Sequence, residues 1–188
     1  GYLTFATYDY LTNVKEMKVD MKGIETQENL VKFCQNTAQK ALFGSLEFVQ
    51  SNINDYKADS LDMLIALHAC DTATDDAIAK GILSNAKLLV CAPCCHKQVR
   101  QEMEKSGITD AITRHGIFME RQAAMVTDAI RALAMECFGY KTQVMEFIET
   151  EHTPKNILLV GVRTDGISQK RKEVALSQIK ELMQRYGV

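Results

Sequence analysis

The chain has only two prolines, Pro93 and Pro154, and ten glycines among its 188 residues. Its six cysteines are therefore not the staples of a small, loop-rich disulfide scaffold, and reduced thiols are expected. No apolar run is long enough to span a bilayer, and the first residues lack the basic start and cleavage site of a secretory signal. A cytoplasmic protein with no membrane partner is expected. Neither charge dominates: 22 basic against 24 acidic side chains give a net charge of -2 and a pI near 6.1. This excludes a strongly basic surface of the kind that coats nucleic acid over its whole area, and leaves room for a local basic patch. With 46% hydrophobic and 24% charged residues, the chain can bury the core of one sizeable domain, 1–188.

Helical and strand patterns alternate along the chain. Apolar spacing predicts a helix over Tyr2–Leu11, an alternating strand over Val19–Glu25, and a helix over Thr26–Leu42 with Thr26 as its cap. Leu46–Gln50 reads as a short strand, and Leu61–Leu67 and Lys87–Cys91 read as buried strands flanking a helix that ends near Ser84. A charged helix follows from Lys97 to about Lys105, and the longest helical pattern runs from about Met119 to Phe138, where Gly139 is a natural stop. Gln143–Ile148 and Asn156–Val162 are expected to form a hairpin, and Gln169–Tyr186 a terminal helix. Such alternation predicts a doubly wound α/β fold, mostly parallel, with an antiparallel hairpin at the carboxyl-terminal edge. Cys34, Cys91 and Cys137 fall within these patterns and read as small buried hydrophobes.

Two clusters stand at the ends of the buried strands: Leu67-His68-Ala69-Cys70-Asp71 and Ala92-Pro93-Cys94-Cys95-His96. Two parallel strands joined through a helix bring their carboxyl ends together, at the crevice where open α/β sheets bind ligands. Glu25, ending its own strand, can accept hydrogen bonds from a ribose, or it can be the carboxylate at the entry of the next helix. Asp71 and Asp75 read as helix-start residues.

The run Gly1-Tyr2-Leu3-Thr4-Phe5, then Gly23-Ile24-Glu25, Leu67-His68-Ala69-Cys70-Asp71-Thr72-Ala73-Thr74-Asp75 and Ala92-Pro93-Cys94-Cys95-His96, resembles a class I S-adenosylmethionine-dependent methyltransferase with a Rossmann-like sheet. Within that class it is similar to the branch of transfer-RNA 2′-O-methyltransferases and methyltransferase-like proteins with Leu-His-x-Cys and Cys-Cys-His or Cys-Cys-Tyr segments. The resemblance spans most of the chain, through Thr153-Pro154-Lys155-Asn156. It implies S-adenosylmethionine as cofactor, with Glu25 on the ribose, Asn52 and Ile53 beside the adenine and His68 near the methyl-transfer centre. RNA is the implied substrate class. By the same comparison Gly1 belongs to the glycine-rich turn that holds the cofactor, so the first strand is expected to be missing. The expected consequences are two unpaired strand edges, a rearranged sheet or a homodimer, and weak cofactor binding by these residues alone.

For the clusters, three roles are open. His68, Cys70, Cys94, Cys95 and His96 are good metal ligands by type, but neither cluster has the Cys-x-x-Cys spacing and adjacent side chains tend to diverge, so no metal site is assigned. Cys70, Cys94 or Cys95 can be a nucleophile, with His68 or His96 as its basic partner. Alternatively the clusters shape the acceptor pocket, with His68 as general base. A structural reading has His68 and Cys70 packed against the neighbouring strand and His96 exposed. Arg114, His115, Arg121 and Lys155 are candidates for phosphate contact. The rival functions are a non-catalytic binding module with this fold and a metal-binding thiol protein.

Overall fold

The computed structural model describes residues 1–58, 60–67, 69, 72–108, 110–148 and 155–188. His68, Cys70, Asp71 and residues 149–154 lie outside the described residues. The element order is α1 (Tyr2–Asp9), one π-helical turn (Tyr10–Val14), β1 (Met21–Glu25), α2 (Glu28–Lys40), β2 (Leu46–Gln50), β3 (Met63–Leu67), α3 (Thr72–Leu83), β4 (Leu88–Ala92), α4 (Lys97–Ser106), α5 (Gly116–Cys137), β5 (Tyr140–Glu146), β6 (Ile157–Arg163) and α6 (Gln169–Tyr186). The chain divides into two compact units, Gly1–Lys57 and Ala58–Val188.

In the first unit β1 and β2 run parallel, Met21 opposite Leu46 and Glu25 opposite Gln50. Its core is small: Tyr8, Ala38 and Leu46 are buried, with Phe5, Val19, Met21, Phe43 and Phe48 packed around them. The Phe48 ring lies over Gly23, where an added Cβ would come within 2.5 Å of the ring, so this strand position requires glycine. The Gln35 side chain accepts the backbone N–H of Phe48 at 2.8 Å and so ties α2 to β2. The amino-terminal helix is less buried than its spacing predicts. Tyr8 is its one buried side chain, while Tyr2 and Leu3 are exposed.

The second unit holds a sheet in the order β3-β4-β6-β5. β3 and β4 are parallel, whereas β6 is antiparallel to both β4 and β5. This is the expected mixture of parallel strands with a carboxyl-terminal antiparallel hairpin. Against the expected Gln143–Ile148 and Asn156–Val162, β5 begins and ends earlier, at Tyr140 and Glu146, and β6 begins and ends one residue later, at Ile157 and Arg163. Gly139, at φ 88°, takes a left-handed conformation that lets β5 start at once after α5, and pairing runs from Tyr140 opposite Arg163 to Glu146 opposite Ile157. One face of this sheet is covered by α3 and α5. Gly81 lets α3 sit close over it, since a Cβ there would fall 2.2 Å from Leu89 Cδ2 and 3.5 Å from Leu64 Cβ. Met135 of α5 packs against Gly161, and the Tyr140 hydroxyl donates to the Ala86 carbonyl at 2.7 Å. α4 joins α5 through buried Met103, Met119 and Ala123, with Tyr186 and Val188 against them. No described helix is long and apolar enough to cross a membrane.

Gly81→Ala is expected to destabilise the second unit by about 1–3 kcal/mol, because α3 must lift from Leu89 to admit one methyl group. Urea unfolding followed by tryptophan-free circular dichroism checks it, and a loss under about 0.5 kcal/mol would contradict this packing.

Candidate active site

In the first unit, the site begins where β1 ends. The Glu25 Oε1 atom accepts the backbone N–H groups of Thr26 at 2.8 Å and Gln27 at 3.0 Å, and the Thr26 hydroxyl at 3.2 Å. These donors precede α2, whose N-cap is Gln27 with no side-chain cap bond. The expected Thr26 cap is thus replaced by Glu25, which stabilises the helix entry from outside. The N–H of Gln27, then those of Thr26 and its hydroxyl, hold the Glu25 carboxyl below its ordinary value of 4.5 against the opposing effect of burial, and the Gly1 amino group adds a smaller pull in the same direction. All three bonds use Oε1. Among the described residues Oε2 has no hydrogen-bond partner, so the helix-entry role leaves one carboxylate oxygen able to accept from a hydroxyl.

The end of β2 lies beside it, with the Ser51 N–H donating to the Glu25 carbonyl at 3.0 Å. Asn52 follows, but its amide is occupied locally. Its Oδ1 accepts the N–H groups of Asn54 at 2.9 Å and Asp55 at 3.0 Å, and its Nδ2 donates to Asp55. This is a turn held by an asparagine side chain. Asn52 therefore shapes the loop carrying Ile53 and has little hydrogen-bonding capacity left to read a base. Gly1, an exposed N-cap of α1, accepts from Thr4 and Phe5 through its carbonyl.

In the second unit, Leu67 stands opposite Ala92 in the parallel register, so the chain segments leaving β3 and β4 depart side by side, as their spacing predicts. On the β3 side, Thr74 donates to the Ala69 carbonyl at 2.6 Å and closes the entry to α3. On the β4 side, Pro93 is buried, Cys94 and Cys95 are half-buried, and their Sγ atoms are 3.6 Å apart. The expected divergence of these adjacent side chains does not occur. Cys91, three residues before Cys94, completes a Cys-x-x-Cys spacing when the strand is counted in. It is sealed in the core, and burial pushes its thiol up to about 12. Cys137 is buried too, and burial also raises its thiol, whereas Cys34 is half-buried. Among the described residues no three His, Cys, Asp or Glu side chains gather as metal ligands.

For His96 the structure corrects the structural alternative, in which it is exposed. It is only 5% exposed, and its Nε2 lies 3.1 and 3.2 Å from the two oxygens of Asp128. A carboxylate can only accept, so Nε2 carries the proton, and Nδ1 is buried with no hydrogen-bond partner among the described residues. Asp128 also accepts Arg131 Nη1 at 3.1 Å, and Arg131 reaches on to α3, donating Nε and Nη2 to the two oxygens of Asp75 at 2.7 and 2.9 Å. Burial opposes the charge of Arg131, but Asp75 and Asp128 outweigh it and raise its pKa. The chain His96, Asp128, Arg131, Asp75 thus fastens the loop after β4 to α5 and α3. Removing one partner of such a buried set typically costs about 3–5 kcal/mol, since it strands the others. Sequence reasoning missed Asp128 and Arg131. Their signal is present, an acid and a base at i, i+3 inside a helix whose neighbouring Val126, Thr127 and Ala132 are all buried.

Residues 1–102 match a family model described as a methyltransferase domain, and the chain belongs to that family. The matched stretch contains Glu25, Asn52–Ile53 and Cys94–His96, while Asp128 and Arg131 lie beyond it. The chain is similar to the glutathione S-transferase C-terminal domain-containing protein of Homo sapiens, 26% identical over 163 residues, covering 74% of this chain and 25% of that protein. It is likewise similar to the corresponding homolog of Drosophila pseudoobscura pseudoobscura, 27% identical over 187 residues, covering 81% of this chain and 31% of that one. It therefore spans about a quarter to a third of the length of these curated relatives. Among solved structures it resembles the 23S rRNA methyltransferase ErmE, with a TM-score of 0.50 at 9% identity over 93% of this chain and 75% of that one. The methyltransferase domain of bacterial CtHen1-C gives a TM-score of 0.42 at 11% identity over 76% of each chain. The fold is that of a Rossmann-like methyltransferase.

The Glu25 pKa makes a signed prediction. Because the folded carboxyl is depressed, its stabilising effect is complete above its ordinary value of 4.5 and is lost as pH falls through the depressed value. Urea unfolding should show Glu25→Gln less stable than the parent at pH 7, with the difference shrinking below pH 4.5. A difference independent of pH, or one that grows on acidification, would show that the carboxylate does not hold α2.

Proposed function

We propose that the chain is an S-adenosylmethionine-dependent methyltransferase domain acting on RNA. The observation that carries this reading is Glu25. Its anchored Oε1 fixes the side chain at the end of β1, and its open Oε2 fits the requirement of a ribose diol for an acceptor. Gly1 and the Asn52–Ile53 turn are the further candidates for the cofactor side, Ile53 offering backbone and apolar surface where the Asn52 amide is already engaged. When bound, S-adenosylmethionine supplies an electrophilic methyl group on a sulfonium. The acceptor needs alignment and a destination for its proton. For that side we propose Cys94 and Cys95, held by the buried anchor of His96, together with His68 as base and Cys70, both outside the described residues.

RNA is supported by the resemblance of the cysteine and histidine segments and by the activity printed for ErmE, a 23S rRNA methyltransferase. We count residues 1–188 as one domain, because the family match from 1 to 102 runs across the division at Lys57 and Ala58. Five free cysteines among the described residues fit a reducing compartment, and a cytoplasmic location belongs to the same proposal.

The intact protein, given methyl-labelled S-adenosylmethionine and separate pools of cellular RNA, protein and small molecules, is expected to label RNA. Glu25→Ala should raise KM for the methyl donor about tenfold or more, whereas His68→Ala and the paired Cys94→Ser, Cys95→Ser change should lower kcat. No label in any pool would reject the enzyme, and label confined to protein or small molecules would reject the substrate class.

A further inference from the structure

One face of α5 is unlike the rest of that helix. Phe118, Arg121, Met125 and Asp128 follow one another at spacings of three, four and three residues, which places them on a single stripe about 15 Å long. The stripe is exposed at its start and buried at its end. Phe118 is 43% and Met125 67% exposed, and Arg121 is exposed, while Asp128 is the buried partner of His96. It therefore ends at the partner of His96, the residue that follows Cys94 and Cys95. Ahead of it, Arg114 extends the same line. Its Nε donates to His115 Nε2 at 3.1 Å, and the His115 ring meets Phe118 edge-on at 5.8 Å between centroids. A guanidinium, an imidazole and a phenyl ring are thus ordered against one another at the surface.

The described carboxylates nearby are engaged elsewhere. Glu120 pairs with Arg100 at 2.6 Å and with Lys155 at 3.7 Å on another side of the helix. Asp110, itself exposed, accepts the N–H groups of Ile112 and Thr113 through Oδ1, both at 2.8 Å. In a protein of net charge -2, the exposed part of this line, Arg114 to Met125, carries two arginines and an ordered aromatic pair, and among the described residues no carboxylate pairs with either arginine. Stacking surface interleaved with guanidinium groups is the arrangement that binds single-stranded nucleic acid, the rings taking bases and the arginines taking phosphates. A folded duplex would present phosphates without free base faces, and would leave Phe118 and Met125 without a partner.

We propose that Arg114 and His115, just ahead of α5, together with Phe118, Arg121 and Met125 on it, form the track on which a single-stranded RNA segment lies, delivering its acceptor nucleotide toward the Cys94–Cys95 loop. This deepens the RNA methyltransferase reading and rests on it. The stripe is long enough for two or three nucleotides of extended strand.

The test is fluorescence anisotropy of the intact protein with a labelled single-stranded RNA of mixed sequence, alongside duplex RNA of the same sequence. Arg114→Glu with Arg121→Glu is expected to weaken single-strand binding at least tenfold, and Phe118→Ala about tenfold. Replacing both arginines by glutamine should reduce the slope of log affinity against log salt by about 1.4. A control pair on α6, Lys170→Glu with Lys180→Glu, changes net charge equally and is expected to have less than a twofold effect. Circular dichroism and affinity for S-adenosylmethionine should be unchanged in all variants, which separates the outcomes. Loss of methyl-donor binding in the parent rejects the enzyme reading, whereas intact donor binding with RNA affinity insensitive to the stripe rejects the track alone. Equal weakening by the α6 pair, or capture of a protein partner through Phe118 and Met125 with no RNA effect, also overturns it.

Discussion

The candidate acceptor wall depends on a buried chain of charges. Asp128 sits in the middle of α5, where an apolar residue would continue the core, and it is only 7% exposed. Its position is tolerable because it is bonded from two sides, by the His96 imidazole and the Arg131 guanidinium. Arg131, 4% exposed, is in turn neutralised by Asp75, which reaches half into solvent. A set of this kind gains little net stability over an apolar core of the same shape. What it supplies is direction, since each member accepts only a narrow geometry. It locks the residue after Cys95, and so restrains the two thiols whose sulfur atoms approach to 3.6 Å.

The first unit solves a similar problem with one side chain. Glu25 closes α2 through Oε1 and keeps Oε2 clear. The two readings that its position admits, helix entry and ribose acceptor, are therefore compatible. Anchoring a ligand group by a structural bond is an economical way to hold it ready, because the entropy of fixing the side chain is spent on folding and not on binding.

Much of the fold was legible in the residues. β2, the terminal helix and the parallel pairing of β3 with β4 follow from apolar runs and spacing, because in those segments a single periodicity decides the packing. The hairpin limits were harder to read. They are set by the left-handed Gly139 and by register with a distant strand, and neither leaves a local pattern. The same distinction applies to the site. Glu25 and the Cys94–Cys95 loop are marked by their place after strands, whereas Asp128 acquires its role from a residue 32 positions earlier, a relation only the tertiary structure creates. Met125 shows the converse: its helical spacing suggests a core residue, yet it is two-thirds exposed.

The Asp128 carboxylate, accepting from Nε2, holds His96 in one tautomer and thereby orders the loop after β4. Long-range proton–nitrogen correlation of the histidine imidazoles at neutral pH tests it directly. His96 is expected to show a slowly exchanging proton on Nε2 and an unprotonated Nδ1, a signature that disappears in Asp128→Asn. A rapidly exchanging imidazole with mixed tautomers in the parent protein, or an unchanged signature in the variant, would contradict it.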